Sequence, residues 1–91
     1  MRFEWDAIKA ASNLLKHGVS FKEAMEVFYD PNAVEDYDAV HSRAEARFFV
    51  IGLSSRRLLY VVYAETGSAV RIISARKPTR AERKIYEGRN N

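Results

Sequence analysis

Residues 71–86, which read RIISARKPTRAERKIY, place a dense run of cations directly after an apolar stretch. The cations of this segment are Arg71, Arg76, Lys77, Arg80, Arg83 and Lys84. Arginine suits phosphate chemistry because its planar guanidinium stays protonated and donates paired hydrogen bonds to anionic oxygens. The segment is therefore a candidate phosphate-binding surface, and the alternative is that its charges compensate carboxylates of the same chain.

Three side chains could transfer protons beside a bound phosphate. His17 follows a predicted helix, whose dipole favours the protonated imidazole and therefore an acid rather than a base. His41 lies in an acidic segment where Asp38 would also keep it charged, and it is the weaker candidate. Tyr86 could donate a proton or stack on a base. Each also has a structural interpretation, as a helix-ending histidine, a loop histidine or a half-buried tyrosine.

The charge of the chain is unevenly distributed. Residues 71–91 carry seven Lys/Arg and two Glu, whereas residues 1–70 carry eight Lys/Arg and ten Asp/Glu. Five of these carboxylates lie between residues 30 and 45. A basic end and an acidic middle fit either internal charge compensation or a surface for a polyanion.

Composition indicates one folded domain spanning residues 1–91. The chain is 47% hydrophobic and 30% charged, which suits a single core and leaves no room for a second domain. Its longest apolar run, residues 58–64, is far shorter than the roughly 18 residues of a membrane span. The charged start MRFEWDAIKA and the lack of cysteine favour a cytoplasmic protein.

The acidic segment also raises the question of a metal site. Glu35, Asp36, Asp38 and His41 offer hard ligands, but their spacing matches no recognised loop. The glycines stand alone and form no phosphate-binding loop. We therefore expect neither a metal nor a cofactor.

Two helices are predicted before the central region. The first runs from Ala7 to Lys16, is capped by Asp6, carries its apolar residues on one stripe and ends at His17-Gly18. That stripe comprises Ile8, Ala11 and Leu15. The second begins at a Ser20/Glu23 capping box. Its core-facing residues are predicted to be Phe21, Ala24, Met25 and Phe28.

Three apolar runs predict an antiparallel meander. They are residues 47–53, 58–64 and 69–75, joined by the short connections SSRR and ETGS. Residues 3–5 are a possible additional strand, and residues 32–44 read as an irregular strand and loop. Thr79 and Glu82 repeat the capping box and open a C-terminal helix. The predicted fold is α+β, with an antiparallel sheet of three to four strands, two N-terminal helices packed on it and a C-terminal helix.

Motifs along nearly the whole chain resemble those of the BrnT-type toxins. The matching segments are FEWD at residues 3–6, Lys9, Asn13, KHGVSF at 16–21, VFYDP at 27–31, Arg47, Gly52, RIISAR at 71–76, Glu82 and Tyr86. The resemblance implies a small bacterial ribonuclease with a RelE-like fold, whose RNA cleavage needs no metal. It also implies a BrnA-like antitoxin, encoded by a neighbouring gene, that covers the basic surface in a hetero-oligomeric complex.

Such a reaction needs cations for the charged phosphorane, and four arginines are candidates. In a regular strand Arg71 and Arg76 point to opposite faces, so at most one lies on the active face. Arg76 can converge with Arg80 at the helix N-terminus, whereas Arg71 could instead pair with Glu45, and Arg47 could be an edge-strand charge. The predicted catalytic set is His17, Arg47, Arg71, Arg76, Arg80 and Tyr86.

Three kinds of function remain open from the residues alone. The chain could be a ribonuclease toxin, an RNA-binding module without chemistry, or an interaction protein whose exposed sheet face binds a partner helix. The family resemblance, rather than the charge pattern, favours the first.

Overall fold

The structure is a computed structural model and describes residues 1–90. Its elements in chain order are β1 (Arg2–Glu4), α1 (Ala7–His17), α2 (Phe21–Glu26), a 3₁₀ turn (Val27–Tyr29), β2 (Val34–Tyr37), β3 (Phe48–Leu53), β4 (Leu58–Thr66), β5 (Ala69–Arg76) and α3 (Arg80–Arg89). No helix in this described part of the chain is long and apolar enough to cross a membrane.

The strands form one five-stranded sheet in the order β1-β5-β4-β3-β2. The pairs β2/β3, β3/β4 and β4/β5 are antiparallel, while β1 pairs parallel with β5. The α+β class is thus confirmed, but the prediction of a purely antiparallel sheet of three or four strands is wrong. A three-residue strand carries no signal for a partner more than sixty residues away, and β2 lies in a polar segment without clear alternation.

Alternate side chains of the central strands enter two hydrophobic clusters, one on each face of the sheet. The larger cluster packs α2 and the 3₁₀ turn against β3, β4 and β5. It includes Phe21, Ala24, Val27, Leu59 and Ile72. The smaller cluster lies under α3 and consists of Val34, Ile51, Leu58 and Tyr86. The second predicted helix is shorter than expected, because its last turn is the 3₁₀ turn, and Met25 and Phe28 are only partly buried.

Helix α1 is oriented opposite to the prediction. Ile8 and Leu15 are 82% and 90% exposed, whereas the polar Asn13 is buried. The Asn13 side-chain amide donates to the carbonyls of Val19 and Ala75 at 2.9 and 2.8 Å, and its oxygen accepts from the Ala75 amide at 3.1 Å. These bonds satisfy the buried amide and orient the helix, so the apolar stripe of Ile8, Ala11 and Leu15 faces solvent rather than the sheet on which the helix was predicted to pack.

Strand β5 contains a bulge that changes which way its arginines point. Val62 pairs with Ser74 and Tyr63 pairs with Ile72, so Ile73 is an extra residue without a partner. Both Ile72 and Ala75 consequently belong to the larger cluster. Arg71 and Arg76 therefore share the opposite face, which a regular strand would not allow.

The two predicted capping boxes differ. Thr79 and Glu82 exchange both hydrogen bonds at the start of α3, as predicted. At α2, the Ser20 hydroxyl accepts from the Glu23 amide at 3.0 Å. The Glu23 carboxylate instead binds Arg57 at 2.8 and 3.0 Å, so the second half of that box is replaced by a buried ion pair.

Candidate active site

A cavity of about 200 Å³ opens between strands β4 and β5 and the loop that precedes β3. Its polar lining is Asp38, His41, Arg47, Tyr60, Ser74 and Arg76. The bulge in β5 contributes to this arrangement, because it keeps Arg76 on the open face while Ala75 enters the core. The cavity therefore gathers a histidine and two arginines from segments far apart in the sequence.

His41 is held by a buried carboxylate. Its Nδ1 lies 2.8 Å from Asp38 Oδ2, and the side chains of His41 and Asp38 are 64% and 8% exposed. An ionised carboxylate can only accept, so Nδ1 is the donor and Nε2 is left for a ligand. Asp38 is itself fixed, since its backbone amide donates to the Arg47 carbonyl at 2.8 Å and its carbonyl accepts from Ser42 Oγ at 2.6 Å. This is the geometry of an oriented acid–base histidine.

Arg47 enters the cavity with a loose carboxylate contact. Its Nε is 3.9 Å from Glu45 Oε1, beyond hydrogen-bond distance. Glu45 forms its close ion pair with Arg71 instead. Arg71 thus pairs with Glu45, the carboxylate named in the alternative structural interpretation of Arg71. The Arg47 guanidinium keeps hydrogen-bond donors for an anion.

Arg76 is more firmly engaged. Its Nη1 and Nη2 donate to the two carboxylate oxygens of Glu82 at 2.8 and 3.0 Å, and its guanidinium carbon lies 4.2 Å from the ring centre of Tyr60. Burial acts to raise the pKa of Glu82, but hydrogen bonds from Arg76 and Thr79 outweigh it, so the pKa is lowered. Glu82 largely neutralises Arg76, which therefore forms part of the cavity wall and fastens β5 to α3.

Arg80 and Tyr86 lie outside this cavity. Arg80 is the exposed first residue of α3, where the Thr79/Glu82 capping box engages the backbone amides of Thr79 and Glu82. Tyr86 is buried in the smaller cluster and donates to Asp30 Oδ2 at 2.7 Å. Burial, together with this hydrogen bond, raises the pKa of Tyr86 to about 12.

His17 lines an adjoining cavity of about 220 Å³ with Lys9, Lys16 and Asn13. Ile73 and Ser74 border both this cavity and the one around His41. The two cavities therefore adjoin along β5. We call these two neighbouring cavities together the β5 groove; their charged and titratable lining residues are Lys9, Lys16, His17, Asp38, His41, Arg47, Tyr60 and Arg76.

From the sequence, His41 is the weaker candidate and Tyr60 is not selected, and the structure places both in the cavity with Arg47 and Arg76. The available signal was the spacing of Asp38 and His41, three residues apart in a segment expected to be loop. The Tyr60 signal was absent, because its neighbours in β4 are apolar on both faces. Of the six residues predicted from the sequence, the structure places His17, Arg47 and Arg76 along the groove and Arg71 beside it. Arg80 and Tyr86 lie away from the cavity that contains His41.

The fold and groove define a small α+β domain with a cationic, histidine-bearing sheet face. The family model described as "Ribonuclease toxin, BrnT, of type II toxin-antitoxin system" matches residues 5–82, and the chain belongs to this family. A search of curated proteins finds no match. Membership makes the chain a type II ribonuclease toxin, with RNA as its target and an antitoxin as its partner.

Proposed function

We propose that this chain is a metal-independent, RelE-like endoribonuclease that cleaves RNA in the β5 groove and arrests growth until its antitoxin binds. The observation that carries the proposal is one cavity in which His41, oriented by buried Asp38, lies beside the loosely paired Arg47. This combination supplies a proton-transfer group and a phosphate-binding cation in one place.

The proposed reaction is attack of the ribose 2′-hydroxyl on the adjacent phosphate, with departure of the 5′-oxygen. His41 Nε2 takes the 2′-hydroxyl proton, and Asp38 stabilises the imidazolium that forms. The imidazolium then gives this proton to the departing 5′-oxygen, so that a 2′,3′-cyclic phosphate and a 5′-hydroxyl are formed and His41 is neutral again. Arg47 donates to the phosphorane oxygens, where negative charge develops. Arg76 remains bound to Glu82 and holds the wall of the cavity in place beside the phosphate.

The other predicted residues take different roles in this proposal. His17, with Lys9 and Lys16, holds the neighbouring part of the RNA strand, and it is the second candidate for a proton-transfer group. Arg71 positions Glu45 and so keeps that carboxylate from pairing tightly with Arg47. Arg80 is left as an outer phosphate contact. Tyr86, whose hydroxyl is bound to Asp30, has no proposed chemical step.

The cellular part of the proposal follows the family. The antitoxin is BrnA-like and encoded by the neighbouring gene, the complex is hetero-oligomeric, and both proteins act in the cytoplasm. A cationic groove attracts an acidic segment, so inhibition by covering the groove is the expected mode. The mass of the co-expressed complex tests this point, and a toxin that remains monomeric beside its neighbour's product contradicts it.

The decisive experiment is RNA cleavage by the purified protein in the presence of EDTA. We expect cleavage to continue in EDTA and to fall at least about a hundredfold in His41→Gln. Val40→Ala is the matched control, because Val40 is an exposed neighbour in the same loop. His17→Gln, measured in parallel, separates the two histidines.

Three results would count against the proposal in different ways. Loss of cleavage in EDTA, restored by a divalent cation, contradicts metal independence. Full activity of His41→Gln contradicts the assigned base. RNA binding without cleavage or growth arrest favours a non-catalytic RNA-binding module.

A further inference from the structure

Helix α1 presents an apolar surface to solvent. Its outward side is formed by Ile8, Ala11, Leu14 and Leu15, and Leu14 is half exposed while Ile8 and Leu15 are almost fully so. Ile8 and Leu15 are two turns apart, about 10 Å along the helix axis. We call this surface the α1 outer face. A continuous aliphatic stripe on a small domain commonly marks a protein-binding surface.

An apolar depression continues this surface towards α2. It has a volume of about 250 Å³ and is lined mainly by Trp5, Ala10, Ala11, Leu14 and Phe21. Ala11 and Leu14 belong to both the α1 outer face and the depression. A stripe beside a depression fits an amphipathic helix that lays one apolar face along α1 and inserts a large side chain next to it.

The surrounding charges indicate the chemistry of the partner. Lys9 and Lys16 flank the α1 outer face on the side of the β5 groove, and Lys22 lines the depression. All three lysines are exposed. A partner helix with carboxylates beside its apolar stripe would complement them. A second copy of this chain, paired symmetrically through α1, would instead bring the same lysines together.

We propose that the α1 outer face is the docking surface for an acidic, amphipathic helix of the antitoxin. The proposal rests on the toxin–antitoxin function and adds the place of binding. Because Lys9 and Lys16 line the β5 groove as well as the edge of this face, a docked helix lies along one side of the groove. Its carboxylates then compete with RNA phosphates for the same two lysines, which couples docking to inhibition.

The test uses the double variant Ile8→Gln/Leu15→Gln and the purified antitoxin encoded by the neighbouring gene. We expect the Kd for the antitoxin to rise about a hundredfold, since each buried large aliphatic side chain contributes roughly tenfold or more. Ile85→Gln is the matched control, because Ile85 is also an exposed helix isoleucine but lies on α3. Its Kd should equal that of the unmodified protein.

RNA cleavage by the free variants separates this inference from the proposed function. Loss of antitoxin binding with cleavage unchanged supports the docking surface. If no form of the protein cleaves RNA but the double variant still loses the antitoxin, the docking surface stands and the nuclease proposal fails. Unchanged affinity in the double variant overturns the docking surface, whatever the cleavage result.

Hydroxyl-radical footprinting of the unmodified complex provides a test that needs no variant. Oxidation of Ile8 and Leu15 should fall on antitoxin binding to the level of the buried Leu59. Unchanged oxidation overturns the proposal. A second result would also overturn it: sedimentation shows the free toxin as a dimer and the double variant as a monomer, and the double variant still binds the antitoxin. The face would then join two copies of the toxin.

Discussion

Arginine–glutamate contacts occur at both ends of the central sheet, and they differ in how tightly the two side chains are paired. Near α2, Arg57 binds both oxygens of buried Glu23 and also donates to the Gly18 carbonyl. In the β5 groove, Arg47 only approaches Glu45 at 3.9 Å. A closed pair contributes to structure, whereas a loosely paired guanidinium keeps hydrogen-bond donors for a ligand. The difference separates the scaffold of this domain from its candidate chemistry.

Removing the structural arginine should have the largest effect. We expect Arg57→Ala to lower the free energy of unfolding by about 4 kcal/mol, because it leaves Glu23 buried without its cation. Chemical denaturation measures this change. Arg56→Ala is the matched control, since Arg56 is exposed and adjacent. A loss below about 1 kcal/mol, as for a surface pair, would show that Glu23 finds another partner or is hydrated.

Removing the groove arginine should affect activity rather than stability. Arg47→Ala is expected to reduce the cleavage rate about a hundredfold, close to 3 kcal/mol in the activation barrier. Its melting temperature should change little, because the carboxylate contact is long. Single-turnover kinetics and thermal melting measure the two quantities. If the free energy of unfolding falls by as much as the activation barrier rises, Arg47 has a structural role like that of Arg57.

Arg76 should show both kinds of effect. Arg76→Ala breaks the bidentate contact with Glu82 and the contact with the Tyr60 ring. We expect a stability loss of about 1–2 kcal/mol, because the pair is only partly buried, together with reduced cleavage by the folded fraction. Arg76→Lys keeps the charge but not the paired geometry. Stability unchanged in Arg76→Ala would favour a purely catalytic role.

Acid should lower the free energy of unfolding gradually, and near pH 4 this change should be the smallest of the effects predicted here. The Arg57 hydrogen bond lowers the pKa of Glu23 below the ordinary value of 4.5, against the opposing effect of burial. A lowered pKa in the folded state means that the stabilisation is complete above the unfolded value and is lost as pH falls through the folded value. Denaturation between pH 6 and about 3 should show this decline. Arg57→Ala should make the decline shallower, while Asp30 and Glu82, whose pKa values are also lowered, continue to contribute to it. An equal slope in that variant would exclude Glu23 as a source.

Local signals predicted much of the fold. The caps at Ser20 and Thr79 and the three apolar runs are encoded by neighbouring residues, and the structure places elements there. The rotation of α1 depends on bonds between Asn13 and Ala75, which are distant in sequence. Helical periodicity reports which residues are apolar, but it does not report a buried amide that determines which side faces inward.

The candidate site was predictable only in part for the same reason. Arginine chemistry selected Arg47 and Arg76, and both line the cavity. The orientation of the His41 ring depends on its contact with the buried Asp38, and the loop sequence does not reveal that burial. The shared face of Arg71 and Arg76 depends on the bulge, because regular alternation would separate them.

The bulge also has a consequence for variation in the groove. Ile73 borders the cavities around His41, His17 and Arg71, yet it belongs to neither hydrophobic cluster. As the unpaired extra residue, it could be deleted with Ala75 still inward and Arg76 still outward, because the remaining strand would regain regular alternation. Its size can therefore be exchanged to make the floor of the groove shallower or deeper while the core composition stays constant.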